Sequence, residues 1–160
     1  MRTLVTGGAG FIGSHLVNSL VDLGHKTIVL DNLSSGRRDY VNRAATFIDG
    51  DILDSDLVRD LARQVDQVFH LAATPEVCLS IEDWSGTHKV NQTGTITLLD
   101  AIAKRPGGPI PTIYASSAAV YGVPVSNRPL WETDRTEPVS AYGADKLGSE
   151  LHARVAWHVH

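Results

Sequence analysis

Short apolar runs alternate along the chain with longer stretches in which apolar residues return every three or four positions. The runs are rich in β-branched residues and apolar along their length, a pattern typical of parallel strands that helices cover on both faces. The pattern therefore predicts five buried strands: Thr3–Thr6, Lys26–Asp31, Ala45–Asp49, Gln67–Leu71 and Thr112–Ala115.

Between and after these runs, four stretches have the helical period: Phe11–Leu23, Ser55–Gln64, about Ser85–Lys104 and Ala141–His160. Gly24 follows the first stretch, where a helix C-cap is expected. Four apolar residues of that first helix are predicted to face the core: Ile12, Leu16, Leu20 and Leu23. Alternating strands and helices predict right-handed crossovers and an α/β fold with a doubly wound parallel sheet of the Rossmann type.

Composition and charge limit the classes of protein to which the chain can belong. With 160 residues, 42% of them hydrophobic, it can bury one core, and we expect one domain over residues 1–160. The net charge of −4 comes from interspersed acidic and basic residues. The sequence therefore shows no basic face of the kind that would predict nucleic-acid binding. No apolar run is long enough for a signal peptide or a membrane span, and the single cysteine, Cys78, cannot form an internal disulfide. These features predict a cytoplasmic protein without a membrane partner.

The segment Thr6–Gly13 joins the first predicted strand to the first predicted helix and is rich in glycine. Two spacings fit a phosphate-binding turn, because G-x-G-x-x-G starts at Gly8 and G-x-x-G-x-x-G starts at Gly7. In either register the backbone can approach a pyrophosphate, and the free N–H groups and positive dipole end of the following helix face the phosphates. We therefore predict a dinucleotide site at this turn, at Phe11 and Ile12 and at the glycines of either register, which are Gly7, Gly10 and Gly13 or Gly8, Gly10 and Gly13.

Asp31 selects among dinucleotides because it ends the second predicted strand, about twenty residues beyond the glycines. A carboxylate there accepts hydrogen bonds from the adenine-ribose hydroxyls and repels a 2′-phosphate, which favours NAD over NADP. Arg37 and Arg38 follow closely and offer the alternative of accepting that phosphate, although solvated loop charges are the favoured interpretation. Residues after the third and fourth strands are expected beside the adenine and the second ribose: Asp51, Ile52, Leu71, Ala72 and Ala73.

Tyr142 and Lys146 lie one turn apart at the start of the last predicted helix. An i, i+4 pair shares one helical face, so the ammonium can lie beneath the phenol and favour the phenolate, which takes a proton from a hydroxyl. The lysine can also hold the ribose next to the nicotinamide. At the carboxyl end of the fifth strand, Ser117 is predicted to hydrogen-bond the substrate oxygen that loses its proton, with Ser116 as the alternative.

Six segments carry a family resemblance that extends over nearly the whole chain: Thr6–Gly13, Asp31–Leu33, His70–Ala73, Asn91 with Gly94 and Thr95, Ser116–Gly122 and Tyr142–Lys146. In this order they resemble the extended short-chain dehydrogenase/reductases, and within them the NAD-dependent epimerase/dehydratase group. The resemblance implies that Ser117, Tyr142 and Lys146 are catalytic. It also implies that NAD is bound by the glycine turn and Asp31, with further cofactor contacts at Asn32, Asn91, Ser116, Tyr142 and Lys146.

The reaction implied by the resemblance is that of a nucleotide-sugar epimerase of the UDP-hexose 4-epimerase type. NAD takes a hydride from the sugar while Tyr142 takes the hydroxyl proton, the keto intermediate turns over, and the hydride returns to its other face. Dehydratases of the group carry an Asp-Glu pair where this chain has Ala118 and Ala119, so a 4,6-dehydratase is not expected. Two alternatives are a dehydrogenase of the same family with net hydride transfer and a non-catalytic NAD-binding module.

Members of the group are much longer than this chain, and their C-terminal part binds the nucleotide-sugar and completes the sheet. We therefore expect a truncated chain that lacks the substrate domain and leaves the fifth strand as an exposed edge. The helices Ser85–Lys104 and Ala141–His160 resemble those that pair in family dimers, which predicts a homodimer. No metal site is predicted, because the histidines near the end are interpreted as solvated helix residues: His152, His158 and His160.

Overall fold

The computed structural model describes residues 1–124 and 127–160. Its strands are β1 (Arg2–Thr6), β2 (Lys26–Asp31), β3 (Thr46–Asp49), β4 (Gln67–His70) and β5 (Thr112–Tyr114). They form one sheet in the order β3-β2-β1-β4-β5, and every neighbouring pair is parallel. The doubly wound Rossmann-type sheet predicted from the sequence is confirmed.

Six α-helices accompany the strands in the part of the chain that the structure describes: α1 (Phe11–Asp22), α2 (Ser55–Gln64), α3 (Val77–Glu82), α4 (Trp84–His88), α5 (Gly94–Ala103) and α6 (Ala141–Val159). A π-helical turn, Lys89–Thr93, joins α4 to α5, so the helix predicted over Ser85–Lys104 is not one regular α-helix. Helix α3 was not predicted, because it is short and buries Ser80 rather than an apolar stripe. Short 3-10 turns cover Arg38–Tyr40 and Ala118–Tyr121.

The core lies on both faces of the sheet because consecutive strand residues point in opposite directions. Leu4 and Leu30 pack with α2 and α5 in one apolar cluster. Val5 and Val29 face the other way and pack with Val17 of α1 in a second cluster. Burying a side chain of this size contributes roughly 1.5–3 kcal/mol relative to leaving it exposed.

Helix α1 presents a different face to the core from the one predicted. Leu20 is buried as expected, but Ile12 is 66% and Leu23 is 75% exposed. The first turn of α1 packs closely on the preceding glycine turn through Gly13, and this rotates Ile12 away from the core. The buried face therefore consists of Gly13, Ser14, Val17 and Leu20.

The strand order creates a crevice at the carboxyl edge of the sheet. The chain runs outward from β1 to β2 and β3, then returns to place β4 on the other side of β1. Thr6 is in register with both Leu30 and His70, so β1, β2 and β4 end at the same level. Ligands of open α/β sheets bind where the strand order reverses in this way. At one side of the described sheet β5 is the outer strand, with Ile113 57% exposed, as predicted for the fifth strand.

Candidate active site

A cavity of about 460 Å³ lies at the carboxyl edge of the sheet, where β1 and β4 diverge. It brings together the glycine turn, the end of β2, the segment after β4, the end of β5 and the start of α6. The predicted cofactor residues that line it are Gly7, Gly10, Phe11, Ile12, Gly13, Asp31, Asn32, Ile52, Leu71, Ala72, Ala73, Ser116, Tyr142 and Lys146.

Two glycines of the turn are required by the protein's own packing. Gly7 has a φ of +71°, and a Cβ there would lie 2.6 Å from the amide nitrogen of Ala72. A Cβ on Gly13 would lie 2.2 Å from the carbonyl oxygen of Gly7. Both contacts are with backbone atoms that cannot move aside. The glycines therefore let β1, α1 and the segment after β4 meet at one point.

Gly10 has a different reason to be glycine, because it faces the cavity and a Cβ there would meet only the Gly7 carbonyl oxygen, at 3.4 Å. The free space points to a ligand that approaches the backbone. Gly8 instead packs on Val29 and does not line the cavity. Of the two spacings in the sequence, the structure thus selects Gly7, Gly10 and Gly13.

The N-terminus of α1 is open toward the same cavity. Gly10 is its N-cap residue and provides no side-chain cap, and the first turn contains no acidic residue. The backbone ladder begins with the Ser14 amide donating to the Gly10 carbonyl at 2.9 Å. The N–H groups of residues 11–13 therefore have no partner within the helix. Such amides, together with the positive end of the helix dipole, can bind phosphate oxygens.

Asp31 ends β2 and lines the cavity wall next to the glycine turn. Its two carboxylate oxygens accept hydrogen bonds from the amides of Ala9 and Leu33, each at 2.9 Å. These bonds fix the carboxylate between the glycine turn and the loop after β2, where Leu33 has a φ of 58°. A carboxylate offers about four acceptor positions, so capacity remains for ribose hydroxyls.

Arg37 and Arg38, the alternative partners for a 2′-phosphate, do not line the cavity. The Arg37 guanidinium lies 5.1 Å from the ring centroid of Tyr40, and that of Arg38 lies 4.6 Å from the ring centroid of Phe47. Each guanidinium therefore lies over an aromatic ring close to it in the structure, Arg37 over Tyr40 and Arg38 over Phe47. This placement agrees with the interpretation of both residues as loop charges.

Two predicted cofactor residues, Asp51 and Asn91, are not among the residues that line the cavity. Asp51 accepts a hydrogen bond from Asn32 Nδ2 at 3.0 Å and so holds a lining residue. The buried Asn91 side chain pairs with both backbone groups of Thr74, at 2.7 and 3.1 Å. In the structure both residues support the cavity wall from behind.

Lys146 lies at the other end of the cavity, with its side chain almost fully buried. Its Nζ donates to the carbonyl oxygen of Ala115 at 2.8 Å and lies 4.8 Å from the ring centroid of Tyr114. The distance to the Tyr142 ring centroid is 5.8 Å, so the ammonium is closer to the ring of Tyr114 than to the phenol predicted above it. Burial lowers the pKa of Lys146 to about 8.

The two serines after β5 have different surroundings. Ser116 lines the cavity, and its hydroxyl donates to the carboxylate of Glu150 on α6. Ser117, the preferred candidate from the sequence, does not line the cavity. Its Oγ accepts from the amide of Ala119 at 3.1 Å and caps the 3-10 turn Ala118–Tyr121. The Ser117 hydroxyl proton remains available to a ligand, because that bond uses only the oxygen.

His70 ends β4 directly behind the cavity and is fully buried. Its Nδ1 lies 2.6 Å from Thr6 Oγ1 and its Nε2 lies 3.0 Å from Thr95 Oγ1. Burial, with a smaller effect of the Lys146 charge, lowers the pKa of His70 to about 3, so the imidazole is neutral near pH 7. The His70 ring thus links β1 to α5.

Across residues 1–124 and 127–160, no three His, Cys, Asp or Glu side chains are grouped to hold a metal ion.

Sequence reasoning missed several lining residues. Gly50 and Ala115 directly follow β3 and β5, so applying the strand-end rule to every strand would have found them. Val90 belongs to the π-helical turn, which no local pattern indicated. The complete set of missed lining residues is Leu30, Ser34, Ser35, Gly50, Pro75, Val90 and Ala115.

Known proteins are similar to this chain in both sequence and fold. The UDP-glucose 4-epimerase of Azospirillum brasilense is 38% identical over 161 residues, which cover 99% of this chain and 45% of that relative. The crystal structure of the Thermotoga maritima UDP-glucose 4-epimerase with UDP-glucose superposes with a TM-score of 0.94 at 36% identity, covering 99% of this chain and 52% of that one. The Thermus thermophilus UDP-glucose 4-epimerase in complex with NAD superposes with a TM-score of 0.91 at 36% identity, covering 99% and 51%.

The chain thus spans about half the length of the relatives that it matches. Within that half the agreement is continuous, because the sequence profile of one family matches residues 3–158. The matched range includes the glycine turn, the end of β2 and the Tyr142–Lys146 pair. On this evidence, the chain belongs to the NAD dependent epimerase/dehydratase family.

Proposed function

We propose that residues 1–160 form the NAD-binding domain of a nucleotide-sugar epimerase of the UDP-hexose 4-epimerase type. The observation that carries the proposal is a single cavity lined both by the phosphate-binding turn and by Tyr142 and Lys146. A hydride acceptor and a proton acceptor can therefore act on one CH–OH group of the substrate, the first on its carbon and the second on its hydroxyl oxygen. The chain spans about half the length of the relatives that it matches.

The residues present fit NAD. Gly10 leaves the backbone accessible, the amides at the start of α1 face the phosphates, and Asp31 accepts from the adenine-ribose hydroxyls. When bound, NAD supplies a hydride acceptor that later returns the hydride. Cofactor contacts are proposed at all the lining residues predicted from the sequence, with Asp51 and Asn91 acting through Asn32 and the segment at Thr74.

The proton chemistry belongs to the chain's own side chains. Tyr142, as phenolate, takes the proton from the substrate hydroxyl and gives it back when the keto group is reduced. The Lys146 ammonium, held by Ala115, lies 5.8 Å from the Tyr142 ring centroid and has further N–H groups for the nicotinamide ribose. Ser117 donates to the substrate oxygen, and the alternative donor from the sequence, Ser116, has its proton engaged with Glu150. These roles make Ser117, Tyr142 and Lys146 the proposed catalytic residues.

The proposed substrate is a UDP-sugar. Support comes from the relatives, because the Thermotoga maritima UDP-glucose 4-epimerase structure contains UDP-glucose. Support for epimerisation over dehydration comes from Ala118 and Ala119, which form the 3-10 turn beside the cavity and carry no acid or base.

The decisive experiment is turnover of a panel of UDP-hexoses, followed by NMR, with Tyr142→Phe in parallel. We expect inversion at C4 without net NADH, and a loss of about 10²–10⁴-fold in Tyr142→Phe, since the phenol oxygen carries the proton. Tyr40→Phe is the matched control, because Tyr40 lies outside the cavity beneath Arg37. Stoichiometric NADH accumulation would instead identify a dehydrogenase, and NAD binding without turnover of any UDP-sugar would identify a binding module.

A homodimer in the cytoplasm is the proposed state of the enzyme. Helices α5 and α6 form an exposed groove that is lined by Ile96 of α5 and by Val155 and Val159 of α6. Leu151 of α6 is exposed as well. Apolar side chains in a shared groove are typical of a surface that another chain covers. No helix of residues 1–124 and 127–160 has both the length and the apolar character needed to cross a bilayer. Sedimentation velocity gives the oligomeric state directly.

A further inference from the structure

Helix α6 holds the end of β5 through two side chains, only one of which the proposed mechanism uses. Tyr142, Lys146 and Glu150 are spaced at i, i+4 and i+8 and so share one face of the helix. Lys146 donates to the carbonyl of Ala115, and Glu150 accepts from the hydroxyl of Ser116. Two successive turns of α6 therefore grip two successive residues of the strand end. Glu150 itself does not line the cavity.

The contact fixes the direction in which Ser116 can hydrogen-bond. An ionised carboxylate has only acceptor oxygens, whereas a hydroxyl has one proton and two lone pairs. The Ser116 proton is thus directed at Glu150, which does not line the cavity, and the hydroxyl oxygen is left with lone pairs for a donor in the cavity. Without Glu150 the hydroxyl could rotate and present its proton to the cavity as readily as its oxygen.

Ser116 lies at the end of the cavity farthest from the phosphate-binding turn along the sheet, together with Lys146 and Tyr142. If Asp31 holds the adenine ribose and the start of α1 holds the phosphates, the nicotinamide is the part of NAD that reaches Ser116. Its carboxamide NH₂ is a hydrogen-bond donor. The polarity imposed by Glu150 therefore matches this end of the cofactor.

We propose that Glu150 is a positioning residue that orients the Ser116 hydroxyl as an acceptor for the nicotinamide carboxamide. The inference rests on the proposed function, because it requires NAD in this cavity. A positioning role for Glu150 differs from a purely structural helix–strand contact in the ligands whose binding it affects. Glu150 should matter for ligands that carry a nicotinamide and be indifferent to those that do not.

The test compares NAD with ADP-ribose, which lacks the nicotinamide, by isothermal titration calorimetry on the purified chain. In Glu150→Ala we expect NAD affinity to fall about tenfold, the size of one hydrogen bond to a charged or strongly oriented group, and ADP-ribose affinity to stay within about twofold. Glu150→Gln keeps an acceptor oxygen and should retain most of the NAD affinity. Glu82→Gln, an exposed glutamate that ends α3, is the matched control.

A double-mutant cycle with Ser116→Ala completes the test. Because Glu150 acts through Ser116, Glu150→Ala should weaken NAD no further in the Ser116→Ala background. Equal losses for NAD and ADP-ribose, unchanged NAD affinity in Glu150→Ala, or additive effects in the cycle would each overturn the proposal. Should Glu150→Ala not fold, as judged by circular dichroism, Glu150→Lys replaces it, because an ammonium is only a donor and should reverse the Ser116 hydroxyl; the same criteria then apply to Glu150→Lys. Wild-type protein that binds ADP-ribose but gains nothing from the nicotinamide refutes only this inference, whereas binding of neither ligand refutes the proposed function.

Discussion

The two ends of the cavity are built in different ways. The phosphate end, formed by Thr6–Gly13 with Asp31, comes from two strand ends that are neighbours in the sheet and close in the chain. The end proposed to be catalytic joins Ala115 and Ser116 to Tyr142 and Lys146, which are distant from them in the sequence. At the first end, backbone atoms and a helix terminus are the groups proposed to hold the phosphates, beside the Asp31 carboxylate proposed to hold the adenine ribose. At the second, side chains must be carried together by tertiary packing and partly removed from water.

Because the two ends are built differently, substitutions at each end should have different effects on stability and binding. A backbone site is limited by sterics, so adding one carbon atom either fits or disrupts the packing. A side-chain site is limited by electrostatics and orientation, so its failures should be graded and should depend on pH. Three changes test this contrast, beginning with the largest expected effect.

Gly13→Ala should be the most damaging change, because its Cβ would lie 2.2 Å from the Gly7 carbonyl oxygen. We expect a loss of about 4 kcal/mol in the free energy of unfolding, measured by urea denaturation. Gly10→Ala is the matched change at a position with room for a Cβ, so stability should change by less than about 1 kcal/mol while NAD binding weakens more than about tenfold. Equal stability of the two variants would contradict the steric account of this end.

Lys146 should make stability depend on alkaline pH. Burial lowers its pKa from 10.5 to about 8, so between these values the unfolded chain binds more protons than the folded one. Stability should therefore rise with pH across that window, by about 3 kcal/mol relative to Lys146→Met, which cannot titrate. Below pH 8 the full penalty of burying the charged ammonium is present.

The measurement is urea unfolding of wild type and Lys146→Met at several values between pH 7.5 and 10.5, a range set by the two pKa values. Lys104→Met serves as the control, because that lysine is exposed and pairs with Asp100 on the surface. Parallel stability curves for wild type and Lys146→Met would show that the ammonium is not desolvated as described.

Asp31→Asn should give the smallest effect, confined to the choice of cofactor. The asparagine keeps one acceptor oxygen but removes the charge that repels a 2′-phosphate. We expect the ratio of NAD to NADP affinity to fall about tenfold, measured by calorimetry with both dinucleotides. Asp22→Asn, an exposed aspartate that ends α1, should leave the ratio unchanged. An unchanged ratio in Asp31→Asn would place cofactor selection elsewhere in the loop after β2.

Much of the phosphate end could be predicted because its signals are local. Hydrophobic runs with a period of two or none indicate strands, and the glycines, Asp31 and the Tyr142–Lys146 pair each lie at a strand or helix end that the period already marks. All of these elements are present; the second strand has the predicted bounds, and each of the other four differs from its prediction by one residue at one end. Parallel register then brings the ends to one edge without further information.

Features that depend on distant contacts could not be predicted in this way. The choice of Gly7 over Gly8 rests on which glycine packs against Val29. Similarly, the helical period placed Ile12 on the core stripe while the motif placed it at the dinucleotide site, and the fit of Gly13 against Gly7 leaves it facing the cavity. Neither contact has a signature in the spacing of residues, since both spacings satisfy the same motif.

The α/β fold with a parallel sheet, the glycine turn proposed to bind phosphate and the residue types proposed for hydride and proton chemistry could be predicted from the sequence alone. They follow from backbone geometry and from the local period of apolar residues. Only the tertiary structure decided the environment of each side chain: Lys146 buried against Ala115 and Tyr114, Ser117 bonded to its own turn, and Ser116 directed at Glu150. The physical reason is that desolvation and hydrogen-bond polarity arise between segments that are far apart in the chain and meet only when it folds.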